Sequence, residues 1–409
     1  MTEDARVKVL YYNHTGTVSG PERVLLMTLA GMEPNRFDIK LFCPGDGELE
    51  ALALQTGTPV RVTRSLHARF TWRPGRLIHH LNSFVGVVQS FRRQVAEENP
   101  DLIHANSIQA GLVATTATLG MAAPVIWHLH GMLPRHPLSI LIRWYAALSS
   151  RTYLLAPTRA VIDRFRGRLL ARLLAWMGTG ADRARVVHNG IELRRFVRDV
   201  ESGQSIRRSL GISKETFVVG IVGQIHPRKG QLALIEAFAA ADLPASALMI
   251  VGAPLFPDDA PYFEKLKRRV EELNVSDRVH FTGSREDISA VMQSLDLLVL
   301  NSRVESFGLV ILEAMACGVP VAAAAVDGVV EIIEHDKTGW LIPPNDAASL
   351  AKTLRAFRFN RELRRRLAAT ACQRNMPRFT VENYLNGVKD YYRSVNPLPT
   401  RSAGMTLAA

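Results

Sequence analysis

The chain has few cysteines and few aromatic residues. Only three of its 409 residues are cysteine, and Cys43, Cys317 and Cys372 are far apart. Their spacing excludes a disulfide framework and a cysteine-based metal site, and it is typical of a protein from a reducing compartment. Aromatic residues make up 7% of the chain and no nucleic-acid recognition motif is present, so we expect no nucleic-acid partner.

Several motifs of metal and hydrolytic enzymes are also missing. The sequence has no DxD-type acid cluster for a divalent ion, and Asp258-Asp259 lies in a Pro-rich loop without evident partners. No Ser-His-Asp hydrolase elbow is found. We therefore expect neither a metal nor a bound cofactor.

Long hydrophobic segments and a secretory leader are absent as well. The first residues, Met1-Thr2-Glu3-Asp4, are acidic and precede a strand directly. The longest uncharged run, 107–127, contains Gln109 and Pro124 and divides into a helix and a strand. The expected location is therefore the cytoplasm.

What the chain does have is an uneven basic charge. Its net charge is +12, and residues 1–215 contain 28 Lys and Arg against 17 Asp and Glu, so nearly all of the excess lies in this part. A hydrophobic content of 47% is that of a globular protein, and the length predicts two domains. The asymmetry indicates that the N-terminal half faces something anionic.

Strands alternate with helices in both halves of the sequence. Apolar runs such as Val7–Tyr12 and Phe217–Val222 are each followed by a helical pattern, which predicts two α/β domains with parallel sheets. Residues 191–206 lack an apolar period and are rich in charge, Gly and Ser, so we expect the interdomain linker there.

One stretch of nine residues, Glu305–Glu313, carries the clearest chemistry. It connects an apolar strand to a helix, so we expect the backbone N–H groups of Phe307, Gly308 and Leu309 to lie at a helix N-terminus, a natural anion site. An acid on either side of an anion site fits an anionic ligand whose ends carry hydroxyls. Glu305 alone is better explained as a surface or N-cap acid, and Glu313 alone as a paired core acid or part of an exposed face. Together with the glycine at the helix start, the two acids favour the functional interpretation.

Two other segments are weaker candidates. In the loop Gly223–Gly230, Lys229 beside a glycine is able to place a positive charge on a phosphate, although an ordinary basic loop has the same composition. His130 ends a predicted strand, where α/β sheets bind ligands, but a histidine there is as often structural. Asn189-Gly190 is interpreted as a turn.

Taken in order, these residues resemble the retaining nucleotide-sugar glycosyltransferases of family 4, which have the GT-B fold. The family's E-x7-E signature matches Glu305 and Glu313. Ser19–Arg23 resembles its first Gly-rich loop, and Asn189–Ile191 with Phe196 resembles its linker motif. The similarity runs from the first strand to about Tyr392 and is most specific in the C-terminal part.

The resemblance implies how a nucleotide-sugar donor is bound. Its diphosphate rests on the helix N-terminus formed by Ser306, Phe307, Gly308 and Leu309, and Lys229 counters its charge. No metal is needed, because the lysine and the backbone dipoles stabilise the leaving group.

The remaining roles follow from the same resemblance. Glu313 binds the ribose hydroxyls and Glu305 the hydroxyls of the transferred sugar. Gly283-Ser284 lies near the base, and His130 lies at the anomeric centre. The acceptor hydroxyl attacks from the face that the diphosphate leaves, so the configuration is retained. The motifs do not distinguish UDP- from GDP-linked donors.

Two positions depart from the family pattern. Gln224 stands where the family usually has an arginine, which removes one cation from the diphosphate site, and Arg228 is a candidate replacement. Ser19 stands for the first residue of a Gly-Gly pair, so only Gly20 is left to give room beside the donor.

The GT-B fold implies two Rossmann-like domains facing each other across a cleft. We expect an acceptor domain over residues 1–195, to which a C-terminal helix of about 379–396 returns, and a donor domain over 196–378. The acceptor is expected to be a lipid-linked or oligosaccharide hydroxyl in cell-surface polysaccharide or glycolipid synthesis. The Arg- and Leu-rich segments 138–151 and 161–176 fit an anionic membrane surface, and a solvated basic face explains them equally well.

Two rival functions remain at this point. One is another GT-B enzyme, such as a nucleotide-sugar epimerase or a phosphorylase. The other is a non-catalytic protein whose basic surface binds a membrane or nucleic acid.

Overall fold

A computed structural model describes residues 6–66, 74–134, 136–167 and 183–395. The chain forms two units, Met1–His188 with Tyr384–Ala409, and Asn189–Asn383. These boundaries differ by a few residues from the expected ones at 195/196 and 378/379.

The first unit is built on a parallel sheet of seven strands in the order β3-β2-β1-β4-β5-β6-β7. Four of its strands, β1, β4, β5 and β6, are buried almost throughout, as expected for a parallel sheet covered on both faces, whereas the edge strands β3 and β7 are partly exposed. The strands are β1 (Val7–Tyr12), β2 (Phe37–Pro44), β3 (Val60–Thr63), β4 (Leu102–Ala105), β5 (Val125–His128), β6 (Thr152–Ala156) and β7 (Ala184–Val186).

Helices follow the strands of this unit in alternation. Ser19 precedes the first helix as its N-cap, and Pro21 lies in the first turn, where its missing N–H costs no hydrogen bond. The helices are α1 (Gly20–Gly31), α2 (Leu49–Gln55), α3 (Pro74–Glu98), α4 (Ile108–Ala117), α5 (Pro137–Leu148) and α6 (Arg159–Arg166). The expected continuation of α6 to Trp176 lies outside the described residues.

The last helix of the described chain, α15 (Val381–Val395), packs on the first unit through its apolar face. Tyr391 donates a hydrogen bond to the Leu154 carbonyl at 3.0 Å, and the Lys389 ammonium lies 2.7 Å from a Glu33 carboxylate oxygen. The C-terminal helix therefore returns to the N-terminal domain.

The second unit has a parallel sheet in the order β10-β9-β8-β11-β12-β13. Two apolar clusters cover its two faces. The strands are β8 (Phe217–Val222), β9 (Ser246–Val251), β10 (Val279–Gly283), β11 (Leu297–Leu300), β12 (Val321–Ala324) and β13 (Trp340–Ile342). The helices are α7 (Val200–Ser209), α8 (Gln231–Ala241), α9 (Ala260–Glu272), α10 (Ile288–Gln293), α11 (Leu309–Ala316), α12 (Val329–Ile332), α13 (Ala347–Phe359) and α14 (Arg361–Asn375).

The segment 191–206, expected to be the interdomain linker, lies within the second unit and contains most of α7. The Asp199 carboxylate caps the helix by accepting from the N–H groups of Glu201 and Ser202. Ile206 is buried, and a Cβ at Gly203 would lie 2.4 Å from the Gln293 carbonyl oxygen. Tertiary packing thus stabilises a helix whose Gly and Ser content gives it a low intrinsic propensity.

Among the described residues, no helix combines the length and the apolar character that crossing a membrane requires.

Candidate active site

The second unit has a topological switch point between β8 and β11. From β8 the chain adds strands on one side of the sheet, and from β11 it adds them on the other. Open α/β sheets bind ligands at the carboxyl ends of such a strand pair. The loops that follow β8 and β11 are joined there, since the Arg303 N–H donates to the Arg228 carbonyl at 2.8 Å.

A glycine allows the two loops to pack closely. Gly230 has a φ of +73°, and a Cβ at this position would lie 2.1 Å from the Asn301 carbonyl oxygen. The Asn301 amide in turn donates to the Gly230 carbonyl at 3.1 Å. Only glycine accommodates both the φ angle and the contact, which places the preceding Lys229 beside the end of β11.

Lys229 and Glu305 form an ion pair at this switch point. The Lys229 ammonium lies 2.6 Å from Glu305 Oε2, and the two side chains are 19% and 11% exposed. Ser302 Oγ donates to the same carboxylate oxygen at 3.0 Å. The structure therefore brings together the predicted cation and the first of the two predicted acids.

The N-terminus of α11 follows directly. Gly308 is its N-cap in the left-handed region, with a φ of +89°. Phe307 is 2% exposed and its ring packs edge-on against Phe379, so its side chain belongs to the core. Ser306 and Leu309 are partly buried. Glu313, also partly buried, lies four residues after Leu309, so both are on one face of the helix.

Gln224 is held by an acid that the sequence left unassigned. Its side-chain nitrogen donates to Asp259 Oδ2 at 2.8 Å, and its carbonyl accepts from the Gln231 amide at 2.8 Å. Asp259 is buried and also accepts from the Phe256 N–H. The expectation that Asp259 lacks partners is therefore wrong.

The other predicted donor residues lie at strand ends of the same sheet. Gly283 ends β10 and its carbonyl accepts from the Gly252 N–H at 2.8 Å, with open space where its Cβ would lie. Ser284 and Arg228 are exposed. A Cβ at Gly252 would lie 2.0 Å from the Gly223 carbonyl oxygen, so these ends are packed backbone to backbone.

In the first unit, His130 follows β5. Its Nε2 is 2.9 Å from Asn106 Oδ1, and its ring lies 3.8 Å from that of His128, centroid to centroid. His128 Nδ1 is 3.1 Å from His104 Nε2. Burial lowers the pKa of His130, and it also lowers those of His104 and His128, so all three imidazoles are neutral near pH 7.

The first Gly-rich loop contains a buried acid. Gly20 is exposed at the start of α1, with open space around its Cβ position. Glu22, two residues on, is 4% exposed and accepts hydrogen bonds from Ser19 N at 3.0 Å and Ser19 Oγ at 2.6 Å. The structure thus shows a partner for the serine that departs from the Gly-Gly pattern.

Sequence reasoning missed several residues that hold the predicted ones in place: Asn13, Glu22, Asn106, Asp259, Ser302 and Asp327. Asp327 accepts from the Glu305 N–H at 3.3 Å. Asn13 and Asn106 each come directly after a buried strand, and a polar residue at that place is the signal that would have found them. Within the described ranges, no cluster of three or more His, Cys, Asp or Glu forms a metal site.

Comparison with known proteins agrees with this architecture. Residues 203–374 match the family model of glycosyl transferases group 1, and residues 19–190 match the glycosyl transferase 4-like domain. The computed model superimposes on the crystal structure of HepE from Anabaena in complex with UDP-glucose with a TM-score of 0.79. This alignment has 27% identity and covers 95% of the chain and all of HepE.

Two relatives extend the comparison. A UDP-Gal:α-D-GlcNAc-diphosphoundecaprenol α-1,3-galactosyltransferase of Escherichia coli is 23% identical over 86% of this chain and 87% of its own length. The N-acetyl-α-D-glucosaminyl L-malate synthase of Bacillus anthracis is 31% identical over 51% of this chain, and the alignment spans only about half of that enzyme, 53%.

Two Rossmann-like parallel-sheet domains with these matches define a GT-B glycosyltransferase. The two family models together cover most of the sequence. The chain belongs to glycosyltransferase family 4.

Proposed function

We propose that this enzyme transfers a sugar from a UDP- or GDP-linked donor to a hydroxyl acceptor, with retention of configuration and without a metal. The observation that carries the proposal is the Lys229–Glu305 pair beside the N-terminus of α11. A cation, a carboxylate and a helix N-terminus lie at one switch point. HepE, which is crystallised with UDP-glucose, and the Escherichia coli relative, which is named for UDP-Gal, support a nucleotide-sugar donor.

The donor consists of a charged diphosphate and of a neutral sugar, ribose and base, and the site has groups for each. Lys229 and the N–H groups after Ser306 attract the diphosphate. Glu305 and Glu313, on either side of this anion site, accept hydrogen bonds from the hydroxyls of the sugar and the ribose. Gly283, at the end of β10, leaves room for the nucleoside, since it has open space at its Cβ position.

Gln224 does not act as the missing cation in this proposal. Its amide is used to hold Asp259, so the positive charge on the diphosphate comes from Lys229, with the exposed Arg228 guanidinium as the second candidate. The cation and the helix dipole together stabilise the negative charge that develops on the leaving diphosphate in the transition state.

The reaction replaces one bond of the anomeric carbon by another. The bond from this carbon to the diphosphate oxygen breaks, and the bond to the acceptor oxygen forms on the same face. The acceptor's proton passes to the departing phosphate. His130 is proposed to hydrogen-bond the reacting sugar as a neutral imidazole.

A thermal-shift screen with UDP, GDP and their glucose, galactose, N-acetylglucosamine and mannose derivatives tests the donor. A nucleotide sugar that binds only the folded protein raises the melting temperature. Glu305→Gln keeps the volume and removes the charge, and we expect it to abolish the difference between nucleotide sugar and nucleotide. An epimerised donor, or a product formed only with phosphate, would favour the rival enzymes. No shift with any nucleotide would contradict the proposal.

We also propose that the acceptor is presented at an anionic membrane surface, in cell-surface polysaccharide or glycolipid synthesis. Helix α5 exposes Ile140 (53%), Leu141 (64%) and Leu148 (75%) to solvent. The net positive charge of this part of the chain complements anionic headgroups. The diphosphoundecaprenol acceptor in the name of the Escherichia coli relative supports a lipid-linked acceptor.

Co-sedimentation with vesicles tests this surface. The chain should bind vesicles of phosphatidylglycerol and phosphatidylcholine, and not phosphatidylcholine alone. Leu141→Glu with Leu148→Glu should lower the partition coefficient at least about tenfold, because two apolar side chains leave the lipid. Phe359→Glu is the matched control, since Phe359 is 63% exposed on α13. Equal binding by both variants would exclude α5 as the membrane surface.

A further inference from the structure

A line of buried amides connects His130 to a carboxylate. His130 Nε2 lies 2.9 Å from Asn106 Oδ1, and Asn106 Nδ2 donates to Asn13 Oδ1 at 3.0 Å. Asn13 Nδ2 lies 2.7 Å from the Thr15 carbonyl oxygen and 3.3 Å from Glu22 Oε1. Asn13 and Asn106 are at most 1% exposed, so water does not offer either amide an alternative partner.

The far end of this line determines the direction of every hydrogen bond in it. A carbonyl oxygen and a carboxylate oxygen only accept, so Asn13 must turn its NH₂ towards Thr15 and Glu22. Its oxygen then faces Asn106, which must offer its own NH₂. The Asn106 oxygen is left facing His130, and an amide oxygen also only accepts. The proton of the neutral imidazole is therefore on Nε2.

Glu22 is itself held in place. Ser19 N and Ser19 Oγ both donate to its Oε2, at 3.0 and 2.6 Å. Both oxygens of the buried carboxylate thus have donors, and Oε1 is the one that faces Asn13. Ser19, the departure from the family's Gly-Gly pair, contributes one of these donors through its hydroxyl.

We propose that Glu22, Asn13 and Asn106 are positioning residues that hold the proton of His130 on Nε2 and present Nδ1 as a hydrogen-bond acceptor. His130 makes no other hydrogen bond to a described residue, so Nδ1 is available to a hydroxyl of the substrate. The assignment of His130 to the reaction rests on the proposed function, whereas the tautomer does not.

The tautomer is measured without any substrate. Long-range ¹H–¹⁵N spectra of the full chain labelled with [¹⁵N]histidine distinguish a protonated from an unprotonated ring nitrogen. His130→Gln identifies the signals of His130 among those of the 12 histidines. We expect a protonated Nε2 and an unprotonated Nδ1 at neutral pH.

Substitutions along the line give different expected results. Asn13→Leu removes the oxygen that fixes the Asn106 NH₂, which allows the Asn106 amide to reverse and shifts the His130 signals towards the Nδ1–H form. Asn106→Asp keeps the acceptor for Nε2–H and should keep the wild-type pattern. Asn106→Leu removes this acceptor, so the Nε2–H pattern of the His130 signals should be lost.

Tyr384→Phe is the control for general damage. Tyr384 is equally buried in the same unit, and its hydroxyl bonds Thr28 outside the line. We expect its His130 signals to be unchanged. An Nδ1–H pattern in the wild-type protein would overturn the proposal. So would wild-type His130 signals in both Asn13→Leu and Asn106→Leu as folded proteins.

Activity provides the second measurement. With a donor from the thermal-shift screen, Asn13→Leu should lower kcat about tenfold, the effect of losing one hydrogen bond to the reacting group. Asn106→Asp should recover more activity than Asn106→Leu. If no donor supports sugar transfer, the proposed function is contradicted. The tautomer of His130 is measured without substrate and is unaffected by that result.

Discussion

Lys229 and Glu305 are 76 positions apart in the sequence, and their side chains meet at 2.6 Å. The pair joins the loop after β8 to the loop after β11, the two strands on either side of the switch point. Without a ligand, the carboxylate neutralises the cation that is proposed to meet the diphosphate. Donor binding on this site must therefore exchange one charge partner of Lys229 for another.

Removing either member of this pair should destabilise the protein more than removing both. Lys229→Met or Glu305→Leu leaves a mostly buried charge unpaired, at a cost of about 1–3 kcal/mol in the free energy of unfolding. The double variant should cost less than the sum of the two, because neither charge remains. Urea denaturation of the four proteins measures the coupling. Additive losses would show that the ion pair has no net effect on stability.

Gln224→Arg should fail to strengthen donor binding. The new guanidinium comes next to buried Asp259 and should pair with it instead of with the diphosphate. We expect the Kd for UDP, measured by calorimetry, to change less than about threefold, a difference below 1 kcal/mol. Gln224→Arg combined with Asp259→Asn frees the guanidinium and should tighten UDP binding. A large gain from the single change would contradict the Gln224–Asp259 contact.

Gly308→Ala should impair both folding and donor binding. At a φ of +89° an alanine is strained by about 1–2 kcal/mol, and its Cβ would lie 3.1 Å from Ile311 Cδ1 and 3.2 Å from Leu300 Cδ2. The control is Gly318→Ala, with a φ of +74° and open space, which isolates the cost of the backbone angle. Melting temperature and UDP affinity are compared, and equal UDP affinity in the two variants would argue against a ligand at this helix N-terminus.

The free energy of unfolding should decrease as the pH falls below the pKa of an ordinary histidine. Burial lowers the pKa of His104 from 6.5 to about 3, so the unfolded chain binds a proton in this window that the folded chain does not. The free energy of unfolding is therefore independent of this group above about pH 6.5 and falls by up to about 1.4 kcal/mol per pH unit below it. His104→Gln should reduce the slope between pH 7 and pH 5 in urea titrations. An unchanged slope would show that His104 does not contribute.

Much of the architecture was predictable from local pattern. The apolar runs of β8 and β11 indicated parallel strands because a sheet covered on both faces has to be apolar throughout. The strand, glycine and helix around Gly308 indicated the proposed anion site, since the first N–H groups of a helix have no partner within the helix itself. The helix α7 was missed because Gly203 and Ser202 lower its propensity, and its stabilising contact with Gln293 lies far along the chain.

The sequence by itself determined the residue types at the strand ends and hence the family: Lys229 after β8, Glu305 after β11 and His130 after β5. Only the tertiary structure decided their partners. Lys229 pairs with Glu305, and Gln224 with Asp259. His130 contacts Asn106, which leads on to Asn13 and Glu22. The physical reason is that strand and helix signals depend on near neighbours in the chain. The direction of a buried hydrogen bond depends on groups that only folding brings within 3 Å.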